Sequence, residues 1–407
     1  MRVVLSTYGS RGAVEPMAGL AVRLREFGAQ VRLCAPPDEE FAVRLAGLGV
    51  EVVPTGGPVR PLVTSVTPGS AEGLAQRAAD LMAAQFDIVA AAAEGADVLV
   101  ATGPLPVTAG ARSVAEKLGL RYVHASHQPV SLPSPHRRPP ARRGQPLPSD
   151  ATDNQALWDL DARIAHTMFG EALDTLRAAA GLAPVDSVRD YAFTDHPWLA
   201  TDPFLSPWQP TGLGVVQTGA WCAPDERPLP AELVDFVDDG PPPVYVGFGS
   251  MPLGAVGEVA RAAVEEIRAR GHRTVVSRGW AGLTPADTWD DCLLVDEVNH
   301  QALFRRVTAV VHHGSAGTTT TATLAGVPQV VLAQGADQPY WAGRVTDLGI
   351  GAAHEGPAPA AGSLSAALHT ALAPETRARA ASAAAAVRTD GTTVAARLLL
   401  EGVAPTA

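Results

Sequence analysis

Two successive alternations of short β-branched runs with longer amphipathic segments constrain this chain more than any other feature. In the first, VVLSTYG (3–9) leads to a helix expected over 16–27, and QVRLCAP (30–36) to a helix over 38–47. VEVVPTG (50–56) precedes a loop and a long helical stretch over 71–94, and DVLVATG (97–103), a helix over 107–118 and RYVHAS (121–126) complete the set. Strands spaced by helices of roughly 10–15 residues form a parallel sheet covered on both faces. Such sheets bind ligands beyond the carboxyl ends of their strands. The second alternation begins at PVYVGFGS (243–250), with a helix over 255–270, and runs through RTVVSRG (273–279), CLLVDEV (292–298), VTAVVHHG (307–314) and PQVVLAQG (328–335). An alanine-rich helical tail follows from 363. The sequence therefore predicts an α/β protein with two sheet domains in tandem.

Between the two alternations the rhythm breaks. Residues 129–148, PVSLPSPHRRPPARRGQPLP, hold too many prolines for regular structure and carry Arg137, Arg138, Arg142 and Arg143, a basic island. A long helix is expected over 153–180, and 203–243, rich in proline and turn residues, reads as a linker.

Bulk properties narrow the function class. A chain of 407 residues is too long for one ordinary domain, and 46% hydrophobic content supports large cores. The formal net charge of −11 argues against general binding to nucleic acid or anionic membranes. Cys34, Cys222 and Cys292 are far apart and odd in number, which fits neither a disulfide framework nor a zinc site. The N-terminal apolar run is too short for a secretory leader, and no stretch approaches the roughly 18–20 apolar residues of a membrane span. A cytoplasmic, soluble monomer without stable membrane insertion is expected.

Three glycine turns carry the chemistry. HHGSAGTTTTATLAG (312–326) follows a buried-type strand and opens a helix of small residues. Its glycines let backbone approach an anion, and the helix N-terminus adds partial positive charge. His312 or His313 can add a hydrogen bond, and Thr318 and Thr319 add hydroxyls. The alternative is a small-residue helix start with locally satisfied histidines. Without a P-loop lysine it is no Walker A hydrolase. The turns Gly9-Ser10-Arg11-Gly12 and Phe248-Gly249-Ser250 end the first strand of each domain, placing Ser10 and Ser250 as short-range phosphate donors. In GADQPYWAGRV (335–345), Asp337 and Gln338 offer a carboxylate and an amide for sugar hydroxyls, or Asp337 simply caps a helix.

Long phrases in both halves, among them LSTYGSRGAVEPMAGLAVRLRE, FTDHPWLATDP, PVYVGFGS, VVSRGWAGL, EVNHQALF, VVHHGSAGTTT and ADQPYWAGRV, resemble the inverting glycosyltransferases of the GT-B fold that act on glycopeptide antibiotics of the vancomycin and teicoplanin type. The resemblance implies two Rossmann-like doubly wound domains facing across a cleft. It divides the chain into an acceptor-binding domain (1–205), a linker (206–243), a nucleotide-sugar-binding domain (244–385) and a C-terminal helix (386–407) packing back on the first domain. It implies a UDP- or dTDP-sugar co-substrate, with a UDP-hexose favoured by Asp337-Gln338, and a peptide-antibiotic acceptor, with no cofactor and no metal. On the donor side it points to Ser10, Arg11, Gly12, Ser250, Arg278, Trp280, Val298, His312, Gly314, Ser315, Ala316, Gly317, Thr318, Asp337 and Gln338. On the acceptor side it points to His127, Gln128, Ser131, Arg137 and Arg138, with the arginines meeting an acceptor carboxylate or simply solvating the loop.

The relatives' general base is an aspartate in an SRGDxEP loop, and the matching residue here is Ala13. Either the base has been deleted by substitution, or Glu15, His127 or Asp337 replaces it, or the acceptor is acidic enough to need little help. A nucleotide-sugar-binding relative with impaired catalysis and a macrolide- or polyketide-directed enzyme are the alternatives.

Overall fold

The computed structural model describes residues 1–64, 71–142, 144–284, 290–354 and 361–402; Arg143 of the basic island and residues 403–407 of the tail lie outside the described residues. The first sheet contains β1 (Arg2–Thr7), β2 (Gln30–Ala35), β3 (Glu51–Pro54), β4 (Val98–Thr102), β5 (Arg121–Ser126), β6 (Trp198–Leu199) and β7 (Val216–Gln217). Its order is β3-β2-β1-β4-β5-β6-β7, parallel throughout, with Val3 paired to both Val31 and Val98. The second sheet contains β8 (Val244–Gly247), β9 (Thr274–Ser277), β10 (Cys292–Val295), β11 (Ala309–His312), β12 (Gln329–Val331) and β13 (Gly351–Ala353), in the parallel order β10-β9-β8-β11-β12-β13. Central strands are apolar on both sides because helices cover both faces: every residue of β4, β8 and β11 is buried.

Strand order reverses between β1 and β4 in one sheet and between β8 and β11 in the other. At such switch points the outgoing loops diverge and leave a crevice at the carboxyl edge. The Gly9–Gly12, Phe248–Ser250 and His313–Ser315 turns all leave from these strands.

The first helix, Arg11–Glu26, begins five residues before the expected start at Pro16. Its opening turn uses only Ser10, whose carbonyl accepts from the N–H groups of Ala13 (2.9 Å) and Val14 (3.3 Å). Pro16 then forfeits a single bond, to the exposed Gly12 carbonyl, which water can satisfy. The helix buries Val14, Met17, Leu20, Ala21 and Leu24, at helical spacing, against the sheet. Within 206–243, expected as a linker, Val216–Gln217 join the first sheet and Ala231–Asp238 form a helix whose Leu233 and Val237 pack with Tyr245 and Phe304 of the second unit. Two-residue strands such as β6 and β7 are too short to leave a periodic signal.

The C-terminal helix, Gly391–Leu400, places Ala395, Ala396 and Leu399 in the first unit's core, and Arg121 donates to the carbonyls of Leu398 and Leu399 at its last turn. No described helix is long and apolar enough to cross a membrane.

Candidate active site

The second sheet's switch point forms a cradle. Phe248-Gly249-Ser250 leaves β8 with Gly249 at φ +53°, and a Cβ on Gly249 would lie 3.4 Å from His313 Cε1, so the two turns face each other. Gly314 follows at φ +92°, and Ser315 caps the Ala316–Leu324 helix: its Oγ accepts from the Thr318 N–H and donates to Thr318 Oγ1 at 2.9 Å. Ala316 and Thr318 are half-buried and Gly317 is exposed, so the helix's first N–H groups open to the crevice. Such an arrangement binds an anion through backbone N–H groups, hydroxyls and the helix dipole.

The two histidines are not equivalent. His312 is fully buried, with both ring nitrogens engaged: the Gly314 N–H donates to Nδ1 at 3.1 Å, and Nε2 lies 3.0 Å from Gln329 Oε1. Because Nδ1 accepts, Nε2 carries the proton and donates to Gln329, whose Nε2 in turn donates to Thr323 Oγ1. Both ring nitrogens of His312, expected at the diphosphate, are thus engaged within the protein. Ending a central strand, its side chain points into the core and braces the glycine turn. His313 faces Gly249 instead, and its Nδ1 is buried without a partner.

Four further donor-side residues have partners within the protein. Arg11 faces carboxylates, not the crevice: it donates to Glu40 (2.7 Å) and to both oxygens of Glu297 (2.7 and 2.5 Å), joining the two units. Trp280 is buried in the first unit's core near Phe41, and its indole N–H, which needs an acceptor there, donates to Glu40 Oε1 at 2.6 Å. Val298 packs its side chain beside Leu303 and Phe304, leaving only backbone for a ligand. Arg278 is half-buried and paired with Asp296 at 3.3 Å. Glu40 carried no sequence signal, because a single glutamate in a helical stretch reads as solvent-facing.

Asp337 and Gln338 sit where the chain enters the Gln338–Asp347 helix, after Ala336 at φ +53°, a conformation uncommon for a residue with a side chain. Asp337 is at the N-cap position, yet its carboxylate makes no cap bond. Instead Oδ2 accepts from Trp341 Nε1 at 2.9 Å and Oδ1 from Gln128 Nε2 at 3.2 Å. Burial raises its pKa above the usual carboxylate value, against the Trp341 hydrogen bond, which lowers it. Gln338 accepts from the Gln334 N–H at 2.7 Å, and its amide reaches Met251 Sδ at 3.5 Å.

On the first unit, Ser10 caps the Arg11–Glu26 helix by position alone, its hydroxyl making no cap bond. Ala13, half-buried, occupies the third helical position. Glu15 is held by Arg44 (3.2 Å) and Arg11 (3.6 Å). His127 lies edge-on to Trp221, with both ring nitrogens buried and unpartnered, and burial pushes its pKa down to about 4. Ser131 donates to the Gln128 carbonyl at 2.7 Å.

Three arginines of the 129–142 stretch are held by contacts within the protein. Arg142 makes a bidentate pair with buried Asp161 (2.7 and 2.9 Å), Arg138 donates to the carbonyls of Pro148 and Ala151, and Arg137 lies over the rings of Trp208 and Tyr340. Arg138 and Arg142 are thus committed to holding the loop, because so many prolines leave it few backbone donors of its own. Among the described residues no group of three or more metal-ligating side chains occurs.

Buried histidines set the acid response. Burial depresses His124 and His312 to about 3 and His127, His300 and His313 to about 4. Below the ordinary histidine pKa of about 6.5 the unfolded chain takes up protons that the folded chain refuses, so stability is lost as pH falls from about 6.5 toward 4. The expected result is a steady fall in Tm across that window. An unchanged Tm between pH 7 and 5 would contradict the neutral, buried state of these rings.

Residues 3–131 match the glycosyltransferase family 28 N-terminal domain, and residues 282–397 match the erythromycin biosynthesis protein CIII-like C-terminal domain. The chain is 53% identical over 403 residues to a vancomycin aglycone glucosyltransferase of Amycolatopsis orientalis, covering 99% of this chain and 98% of the relative. It is 48% identical over 385 residues to a dTDP-epi-vancosaminyltransferase of the same organism, covering 93% and 92%. Among solved structures, the glycosyltransferase of kitacinnamycin superposes with a TM-score of 0.72 at 18% identity, over 99% of each chain.

Proposed function

Because this chain belongs to the GT-B glycosyltransferases that include the vancomycin aglycone glucosyltransferase, and is itself a glycosyltransferase, we propose that it moves a hexose from a nucleotide-sugar to a hydroxyl of a glycopeptide aglycone or pseudoaglycone. The observation that carries this reading is the anion cradle at the second switch point, where His313-Gly314-Ser315 faces Phe248-Gly249-Ser250. There the diphosphate meets Ser250, the N–H of Gly317, the Thr318 hydroxyl, and Ser10 from across the cleft. The helix terminus and hydroxyls offset the leaving group's charge, so no metal is required. Residues 244–385 take the donor, with Asp337 and Gln338 on the sugar, and 1–205 take the acceptor. The protein acts as a cytoplasmic monomer.

The reaction is a single displacement. The acceptor oxygen bonds to the anomeric carbon, the bond to the diphosphate oxygen breaks with its electron pair, and configuration inverts. The acceptor proton has no strong taker: Ala13 has no polar group, Arg11 and Arg44 hold Glu15, and Trp341 and Gln128 hold Asp337. His127 is neutral but a weak base at about 4. A phenolic acceptor, with a pKa near about 10, fits best because it gives up its proton more readily than an alcohol.

Calorimetric titration with UDP and with dTDP tests the donor half. The expected result is saturable binding, tighter for UDP, the nucleotide of the hexose donor that Asp337-Gln338 favours. Failure of both nucleotides to bind would overturn the cradle assignment.

A further inference from the structure

Asp337 is a buried carboxylate that accepts a hydrogen bond from each unit. Trp341, one turn later on its own helix, anchors Oδ2. The other donor, Gln128, lies 209 residues earlier, just past β5 on the opposite unit. Gln128 is exposed, and the turn after it fixes its backbone: the Ser131 N–H and hydroxyl both donate to its carbonyl, at 3.0 and 2.7 Å, and Ser126 Oγ accepts from its N–H at 3.1 Å. The loop is thus rigid up to the side chain that crosses the cleft. The helix bearing Asp337 is tied to the first unit a second time farther along, through Tyr340 to Ser206 at 2.8 Å and through Arg344 to the Leu205 carbonyl at 2.7 Å. The Gln128 bond is the tie that ends on the carboxylate itself.

We infer that Gln128 is a positioning residue that sets the Asp337 carboxylate from across the cleft, so that donor-sugar selection is completed only when the two units close. With both oxygens oriented, the remaining lone pairs of Asp337 point in fixed directions and accept only from sugar hydroxyls of matching stereochemistry. When the units part, Oδ1 loses its donor and the carboxylate swings about the Trp341 bond. The inference rests on the reading of Asp337 as a sugar ligand, and it assigns Gln128 to donor selection instead of direct acceptor contact.

Three variants separate the possibilities, each assayed for donor KM, acceptor KM, free UDP binding and thermal midpoint. Gln128→Ala should raise the donor KM about tenfold to a hundredfold, the scale of one lost hydrogen bond to a charged group, and should weaken discrimination between hexose donors that differ at one hydroxyl. Free UDP binding, acceptor KM and the thermal midpoint should stay put, since the nucleotide does not touch this pair and the side chain is exposed. Gln128→Glu, of the same length but opposing a second carboxylate, should be worse than Gln128→Ala. Asp337→Asn is the control for the underlying reading. If it raises the donor KM while Gln128→Ala does not, the inference fails and the sugar-ligand reading stands. If Asp337→Asn leaves the donor KM unchanged, the sugar-ligand reading itself fails. A change confined to acceptor KM, or an equal loss of UDP binding, in Gln128→Ala also overturns the inference.

Discussion

Ala13→Asp raises kcat by about 10²- to 10⁴-fold, the usual worth of a positioned general base, with little change in donor KM. Position 13 is the third residue of the Arg11–Glu26 helix, three after its capping Ser10, and the first turn contains no acidic residue. A carboxylate there faces the positive end of the helix dipole, so the substitution should be neutral to stabilising for the fold. Thr7 already donates its hydroxyl to the Ala13 carbonyl at 3.2 Å, fixing the backbone from which the new side chain projects. The same helix end lowers the pKa of the introduced acid and keeps it ionised at neutral pH. Single-turnover kinetics on a glycopeptide aglycone measure the gain. A variant that folds, binds donor and transfers sugar no faster would show that the missing carboxylate at position 13 does not limit the rate.

Gly314→Ala has the second large effect, in the opposite direction. At φ +92° a side chain is strained, and the new Cβ would lie 2.7 Å from Val331 Cγ1 and 3.2 Å from the Gln338 carbonyl oxygen. Val331 is in a buried strand and cannot retreat, so the turn must rearrange, at a cost of about 1–3 kcal/mol. That movement pulls the Gly314 N–H off His312 and shifts Ser315 from the helix cap. UDP affinity should fall about a hundredfold, as expected for two charge-assisted hydrogen bonds, while Ala325→Gly, at the far end of the same helix, should leave it unchanged. Calorimetry on the folded variant decides: undiminished UDP affinity would place the diphosphate elsewhere.

Much of this architecture was legible in the residues. The alternation of strands and helices gave two parallel sheets, because period and segment length are local properties of the chain. The glycine turns at 9–12, 248–250 and 312–317 stood out because only small residues suit the approach of an anion. Which side chain faces the ligand was not legible. His312 and His313 are adjacent and chemically identical, and only the strand's pleat decides that one braces the turn and the other faces Gly249. Arg11 and Trp280 were implied as donor-side residues by the family resemblance. Their partners, Glu40 and Glu297, come from distant segments and set a contact between units that no local pattern encodes. Pro16 misled the helix start because proline is usually read as a first-turn residue, whereas here an exposed Gly12 carbonyl tolerates it in the second turn.

The most direct measurement is mass spectrometry of a glycopeptide aglycone incubated with excess UDP-hexose and this chain. An active transferase whose donor cradle is intact and whose base alone is missing predicts slow appearance of a product heavier by a single hexose residue, with one equivalent of UDP released and a much faster rate for Ala13→Asp. No mass shift with either protein, under donor concentrations at which UDP binding is saturated, would contradict it.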